Sequence, residues 1–320
     1  MKILKIIFLN ILVFVLLFGA AEYVCRKDFL REYADVIALQ SKLNGRTMKD
    51  YKFYYPVKNY DYDAITQNSL TKVYKGNSKK RPVITIGCSY VKGIGLEDNQ
   101  TFAYKLNKYT GRTTYNRGIG GTGPQMVYRQ LSDKNFTKQI PDAEYVIYVF
   151  IYNHVDRLFP KIYGFFSNEV NLNYELKNGE LKELKHHFSS FYFFHTVKKF
   201  IAYQALKERT TEQNNNRPLF FKIMEESAKA AKKNYPDAKF VFVEFPEAFM
   251  CKSEYAAGTR ELSAAQIKRL EDSGIIYINA EQLVGHDFRD VKKYRLADED
   301  HPNERVWDEI VPALSRKLKL

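Results

Sequence analysis

Val83-Ile84-Thr85-Ile86-Gly87-Cys88-Ser89-Tyr90-Val91-Lys92-Gly93 carries an apolar, β-branched run straight into a hydroxyl set between two glycines. The run Val83–Ile86 is too short for a helix and rich in residues that suit a pleated surface, so it predicts a buried strand. Val146–Phe150, Phe240–Val243 and Ile275–Ile278 read the same way, with a weaker run at Thr113–Tyr115. Helical spacing fills the intervals at Phe102–Tyr109, Leu219–Asn234, Ala264–Asp272 and Arg305–Lys317. Strands alternating with helices imply βαβ units, hence an α/β domain whose parallel sheet is covered on both faces. The interval 158–216 breaks this rhythm and reads as an insertion at one edge. Its aromatic stretch Phe188–Tyr203 is expected to form the insertion's own core, or else a surface for sugar or membrane.

The 320 residues hold 50 Lys+Arg against 37 Asp+Glu, a net charge of +13, with a mean hydropathy of −0.43. That balance excludes a disordered chain and a multi-span membrane protein. Cys25, Cys88 and Cys251 are too few for a disulfide scaffold or a four-thiolate zinc site, and the histidines show no ligand spacing; no metal is expected. The lysines are scattered among tyrosines and acids, so no nucleic-acid partner is expected either.

Lys2 and Lys5 precede an apolar run from Ile6 to Ala21, interrupted at Asn10 and closed by Glu22. Its length falls between a signal-peptide core of about 7–15 residues and a span of about 20. Adding Ile3, Leu4, Tyr23 and Val24 brings it to a transmembrane helix, so residues 1–25 are expected to anchor the chain in a membrane. Gly19-Ala20-Ala21 leaves a cleaved signal sequence as the alternative. Basic residues flank the run on both sides, so charge does not orient it; a lone anchor before a polar body favours export of the bulk. Residues 26–80 read as a Tyr-rich stalk with an amphipathic helix at Asp28–Leu43, leaving 81–320 as the folded domain.

Four stretches carry chemistry. Ser89 follows a buried strand at the edge where parallel sheets build their sites, beside backbone N–H groups suited to an oxyanion; its bland alternative is a helix N-cap. Asn116-Arg117-Gly118-Ile119-Gly120-Gly121-Thr122-Gly123 packs four glycines into six residues and lets backbone approach a ligand. It follows the second strand and lacks the setting of a dinucleotide fingerprint, so no cofactor is expected. Ile151-Tyr152-Asn153-His154 puts a neutral amide donor at a strand end, where the alternative is a loop asparagine satisfying its own turn. Asp298-Glu299-Asp300-His301 sets a carboxylate three positions before an imidazole, the orienting arrangement a general base requires.

Taken in order, these stretches resemble the block pattern of the SGNH/GDSL hydrolases from about Pro82 onward. Asn116-x-Gly118-x-x-Gly121-x-Gly123, Tyr152-Asn153 and the closing Glu22 look like that superfamily's membrane-anchored bacterial branch. The resemblance implies a flavodoxin-like α/β/α sandwich, with Ser89 as nucleophile, His301 as base and Asp298 as its partner. It also implies an oxyanion hole from the Ser89 N–H, Gly121 and Asn153. Two positions depart from the pattern: Cys88 stands where the family has Asp before the nucleophile, and His154 where it has Asp after the asparagine. Cys88 is itself an alternative nucleophile, though Ser89 fits the block better.

The expected activity is hydrolysis of an acyl ester, an O-acetyl group on an extracytoplasmic glycan or lipid, falling as pH drops through the ordinary imidazole range near 6.5. An O-acyltransferase using the same triad on a cell-surface polysaccharide, or a non-catalytic binding or scaffold protein on this fold, are the alternatives.

Overall fold

The computed structural model describes residues 10–24, 72–120, 122–140, 142–158, 173–184, 209–245, 262–296 and 301–320. Among these residues eight strands are formed: β1 Lys72–Tyr74, β2 Val83–Gly87, β3 Thr114–Gly118, β4 Tyr145–Ile151, β5 Asn173–Lys177, β6 Glu180–Leu184, β7 Lys239–Phe245 and β8 Ile275–Asn279. Six make one sheet in the order β1-β3-β2-β4-β7-β8; β1 runs antiparallel on the edge and the rest are parallel. Counting only the parallel strands in chain order gives the flavodoxin-like sequence 2-1-3-4-5. β5 and β6 form a separate antiparallel hairpin, docked where Tyr174 meets Tyr128 edge-on with ring centroids 5.6 Å apart.

The buried strands β2 and β4 alternate their side chains between two cores. Ile84, Ile86, Tyr148 and Phe150 meet the helices Pro124–Ser132, Arg209–Asn234 and Ala264–Asp272 on one face. Val83, Ile147 and Val149 meet Phe102–Thr110 and Glu304–Leu318 on the other, where Phe102 and Trp307 pack with centroids 5.0 Å apart. Three layers result, as the alternating pattern of strands and helices requires.

Three sequence expectations change. Lys72–Tyr74, read as stalk, is a strand of the sheet: Tyr74 is buried, its hydroxyl 3.2 Å from Thr101 Oγ1. β3 runs on to Gly118 because its polar residues are satisfied inside. Arg117 Nε donates to Gln130 Oε1 at 3.1 Å and its guanidinium lies 4.6 Å over the Phe136 ring, contacts no local apolar pattern announces. The helix before β7 begins at Arg209, inside the expected insertion, because its polar first turns carry no apolar period.

Among the described residues no helix is long and apolar enough to cross a membrane. Of the expected anchor, residues 10–24 are described, and they are helical throughout. Residues 1–9 of the expected span lie outside the described residues, as do the stalk helix Asp28–Leu43 and the aromatic stretch Phe188–Tyr203.

Candidate active site

In a sheet of this order the crevice lies beyond the C-terminal ends of the strands, where successive connections part to opposite faces. Here that point is between β2 and β4. β2 ends at Gly87, which pairs with Gly118 of β3 on one side and Val149 of β4 on the other. The segments leaving these three strand ends are the ones singled out in the sequence.

Ser89 opens the short helix Ser89–Lys92, and Cys88 occupies the N-cap without any side-chain capping bond. The serine is therefore not the cap. Among the described residues its hydroxyl has no partner better than Cys88 Sγ at 3.9 Å, and its first-turn N–H has no intrahelical acceptor. The turn is held from outside. Asn116 Nδ2 donates to Val91 O at 2.9 Å, and the Ile119 N–H donates to Gly87 O at 2.9 Å. Gly118 passes so close that a Cβ there would stand 2.2 Å from Lys92 N, which accounts for the glycine two positions after Asn116. Cys88 is wholly buried in the apolar layer, which withholds its sulfur from a substrate and counts against it as nucleophile.

His301 lies beside this turn. Its ring centroid is 5.9 Å from that of Tyr90, the residue after Ser89, at an interplanar angle of 57°. The neck of its loop is closed by the Leu296 N–H donating to His301 O at 2.9 Å and by an Arg295–Pro302 bridge. Asn303 then caps the helix Glu304–Leu318. Asp298 and Gly121 lie outside the described residues. Asn153 opens the helix Asn153–Asp156 at the end of β4; its side chain too lies outside the description.

Two neighbours of Asn153 bear on the site; the sequence marked His154 only as a departure from the family pattern and did not single out Arg157. His154 is wholly buried, its Nδ1 2.6 Å from the Tyr148 hydroxyl and its ring stacked on that phenol at 5.6 Å. Burial first, and the positive charge of Arg157 second, hold this imidazole well below its ordinary range, so it stays neutral. Burial likewise pushes the Tyr148 phenol well up. Arg157 Nη1 donates to Thr122 O in the glycine loop at 2.5 Å. The sequence signal for Arg157 was proximity to Asn153, and for His154 its place where the resembled pattern has Asp.

Tyr152, Val155, Phe220, Phe221, Leu262 and Arg217 line a shallow cleft of about 10 Å³, room for little more than one water molecule. Among the described residues no group of three His, Cys, Asp or Glu side chains could hold a metal ion.

No protein-family model matches the chain, and no curated protein does. Among solved structures it is similar to a lipolytic protein of the G-D-S-L family from Desulfitobacterium hafniense, with a TM-score of 0.40 and 13% identity over 74% of this chain and 99% of that one. It is also similar to an acetylxylan esterase from Geobacillus stearothermophilus, solved as a catalytic mutant (TM-score 0.41, 10% identity, 77% of this chain and 97% of that one). A family two carbohydrate esterase from Clostridium thermocellum, in complex with cellohexaose, compares at TM-score 0.40 and 9% identity, over 75% of this chain and 64% of that one. TM-scores near 0.4 leave the functional reading to the topology and the rim residues themselves.

Proposed function

We propose that the chain is a serine esterase whose site is the rim between β2 and β4. One observation carries the reading: the Ser89 hydroxyl stands uncapped at the switch point while the His301 imidazole packs on the very next residue. In this reading His301 takes the proton from Ser89 Oγ as that oxygen bonds to the ester carbon, with Asp298 orienting the ring. The negative oxygen of the tetrahedral intermediate falls among the Ser89 N–H, the Gly121 N–H and the Asn153 amide. Collapse breaks the ester bond, and the proton held by His301 goes to the departing alkoxide. Water then adds to the acyl-serine, gives a proton to His301, and leaves as the carboxylic acid while Ser89 regains its hydrogen.

The substrate class we infer is an O-acyl, foremost O-acetyl, ester of a glycan or lipid outside the cytoplasm. The net charge of +13 suits an anionic surface, and the helix over residues 10–24 presents Phe14 and Leu17 at 69% and 66% exposure, as a segment that meets lipid would.

Hydrolysis of p-nitrophenyl acetate by the full chain, with Ser89→Ala alongside, tests the reading. Turnover lost with Ser89→Ala is the expected result; turnover kept in that variant refutes the assignment. Mass analysis of an added oligosaccharide distinguishes hydrolysis from acyl transfer, since acetylated acceptor would convert the proposal to a transferase with the same nucleophile.

A further inference from the structure

The loops that leave β3 and β4 are separate in sequence, yet both must be held still if their donors are to meet one oxygen. Among the described residues, Arg157 joins them. Arg157 ends the turn that begins at Asn153, and its Nη1 donates to Thr122 O at 2.5 Å. A return bond runs the other way, Gln125 Nε2 donating to Arg157 O at 3.2 Å. Both partners press on the loop between these bonds: a Cβ at Gly123 would stand 2.6 Å from Gln125 Oε1 and 3.1 Å from Arg157 Cβ. Gly123 is thus glycine because the clamp closes over it. Gln125 and Thr122 are both buried, so these bonds are sheltered from competing water.

The geometry points to Arg157 as a positioning residue that locks the glycine loop to the Asn153 turn and so fixes the spacing of the oxyanion donors. This rests on the esterase reading above. The same charge adds, after burial, to what keeps His154 neutral. A positioning residue touches no reacting atom, and its removal loosens transition-state contacts more than ground-state binding.

The test is steady-state kinetics of the full chain on p-nitrophenyl acetate for wild type, Ser89→Ala, Arg157→Ala, Arg157→Lys and Gln125→Met. Losing an oxyanion donor outright costs on the order of 10²–10³ in rate, so losing its positioner is expected to lower kcat by about 10–100-fold with KM within about twofold. Arg157→Lys, which keeps a charged donor on a similar stem, is expected to recover about half or more of that loss on a logarithmic scale. Millimolar guanidinium added to Arg157→Ala is expected to raise kcat again, which repair of a merely structural defect would not do. Gln125→Met, cutting only the return bond, is expected to lower kcat by about threefold and decides the matter if Arg157→Ala does not fold. The clamp is overturned if Arg157→Ala keeps wild-type kcat, if guanidinium and Arg157→Lys restore nothing, or if Gln125→Met alone folds and is unimpaired. Failure of the esterase reading looks different: Ser89→Ala then stays active, whatever Arg157 does.

Discussion

The two rims of the sheet are built from the same strands and treated in opposite ways. Below the N-terminal ends, charge is consumed in pairs. Arg81 Nε donates to both Asp142 oxygens at 2.9 Å and its Nη2 to Oδ1 at 2.6 Å. Arg112, only 2% exposed, donates from Nη1 to Glu144 Oε2 at 2.6 Å and to Arg81 O at 3.1 Å. Tyr145 and Tyr235 spend their hydroxyls on the Leu318 and Ile140 carbonyls at 2.6 and 2.9 Å. Above the C-terminal ends, the Ser89 hydroxyl meets, among the described residues, only the Cys88 sulfur, and one buried imidazole is kept neutral. A rim that satisfies its polar groups adds stability; a rim that leaves a hydroxyl underused and fixes its surroundings can add chemistry.

Substitutions at the two rims should therefore separate activity from stability. The largest effect is expected from His301→Ala, a loss of about 10⁴ or more in kcat on p-nitrophenyl acetate with the urea midpoint little changed. Asn153→Ala should follow with a loss on the order of 10²–10³ in kcat, read in the same assay. At the opposite rim, Arg112→Met strands the Glu144 carboxylate, which is only 29% exposed, and should cost about 3 kcal/mol in urea unfolding while kcat stays unchanged. Equal losses of activity and stability at both rims would erase the distinction.

Two smaller effects concern pH. His154 is held neutral in the folded chain, whereas the unfolded chain takes up its proton near the ordinary value of about 6.5. Stability should thus be full above about pH 6.5 and fall below it, by up to about 1.4 kcal/mol per pH unit until the folded imidazole protonates. Urea titrations of His154→Phe between about pH 5 and 7 should lack that slope. Asp142 is held low, first by its hydrogen bond from Arg81, so that pair stabilises above the usual carboxylate range and is lost as pH falls below about 4. Being half exposed it is worth at most about 1 kcal/mol, and Asp142→Asn should flatten only that acid limb.

Much of this was legible in the chain. β2, β4, β7 and β8 announced themselves because strands buried on both faces leave little but β-branched and aromatic residues in sequence. β3 announced only its start, since Asn116 and Arg117 are polar and their burial depends on Val91, Gln130 and Phe136, far along the chain. Gly118 and Gly123 could be seen as glycines, but not that one yields to Lys92 and the other to Gln125 and Arg157.

The order of hydroxyl, glycine loop, amide and imidazole is a property of the sequence, and so is the alternation that makes the sheet parallel. Which strand lies beside which, and hence that Ser89, the glycine loop and the Asn153 turn share one rim, was decided only by the folded sheet. Local pattern reports how much of each residue is buried. It does not report what the residue is buried against, and the chemistry of a rim depends on that.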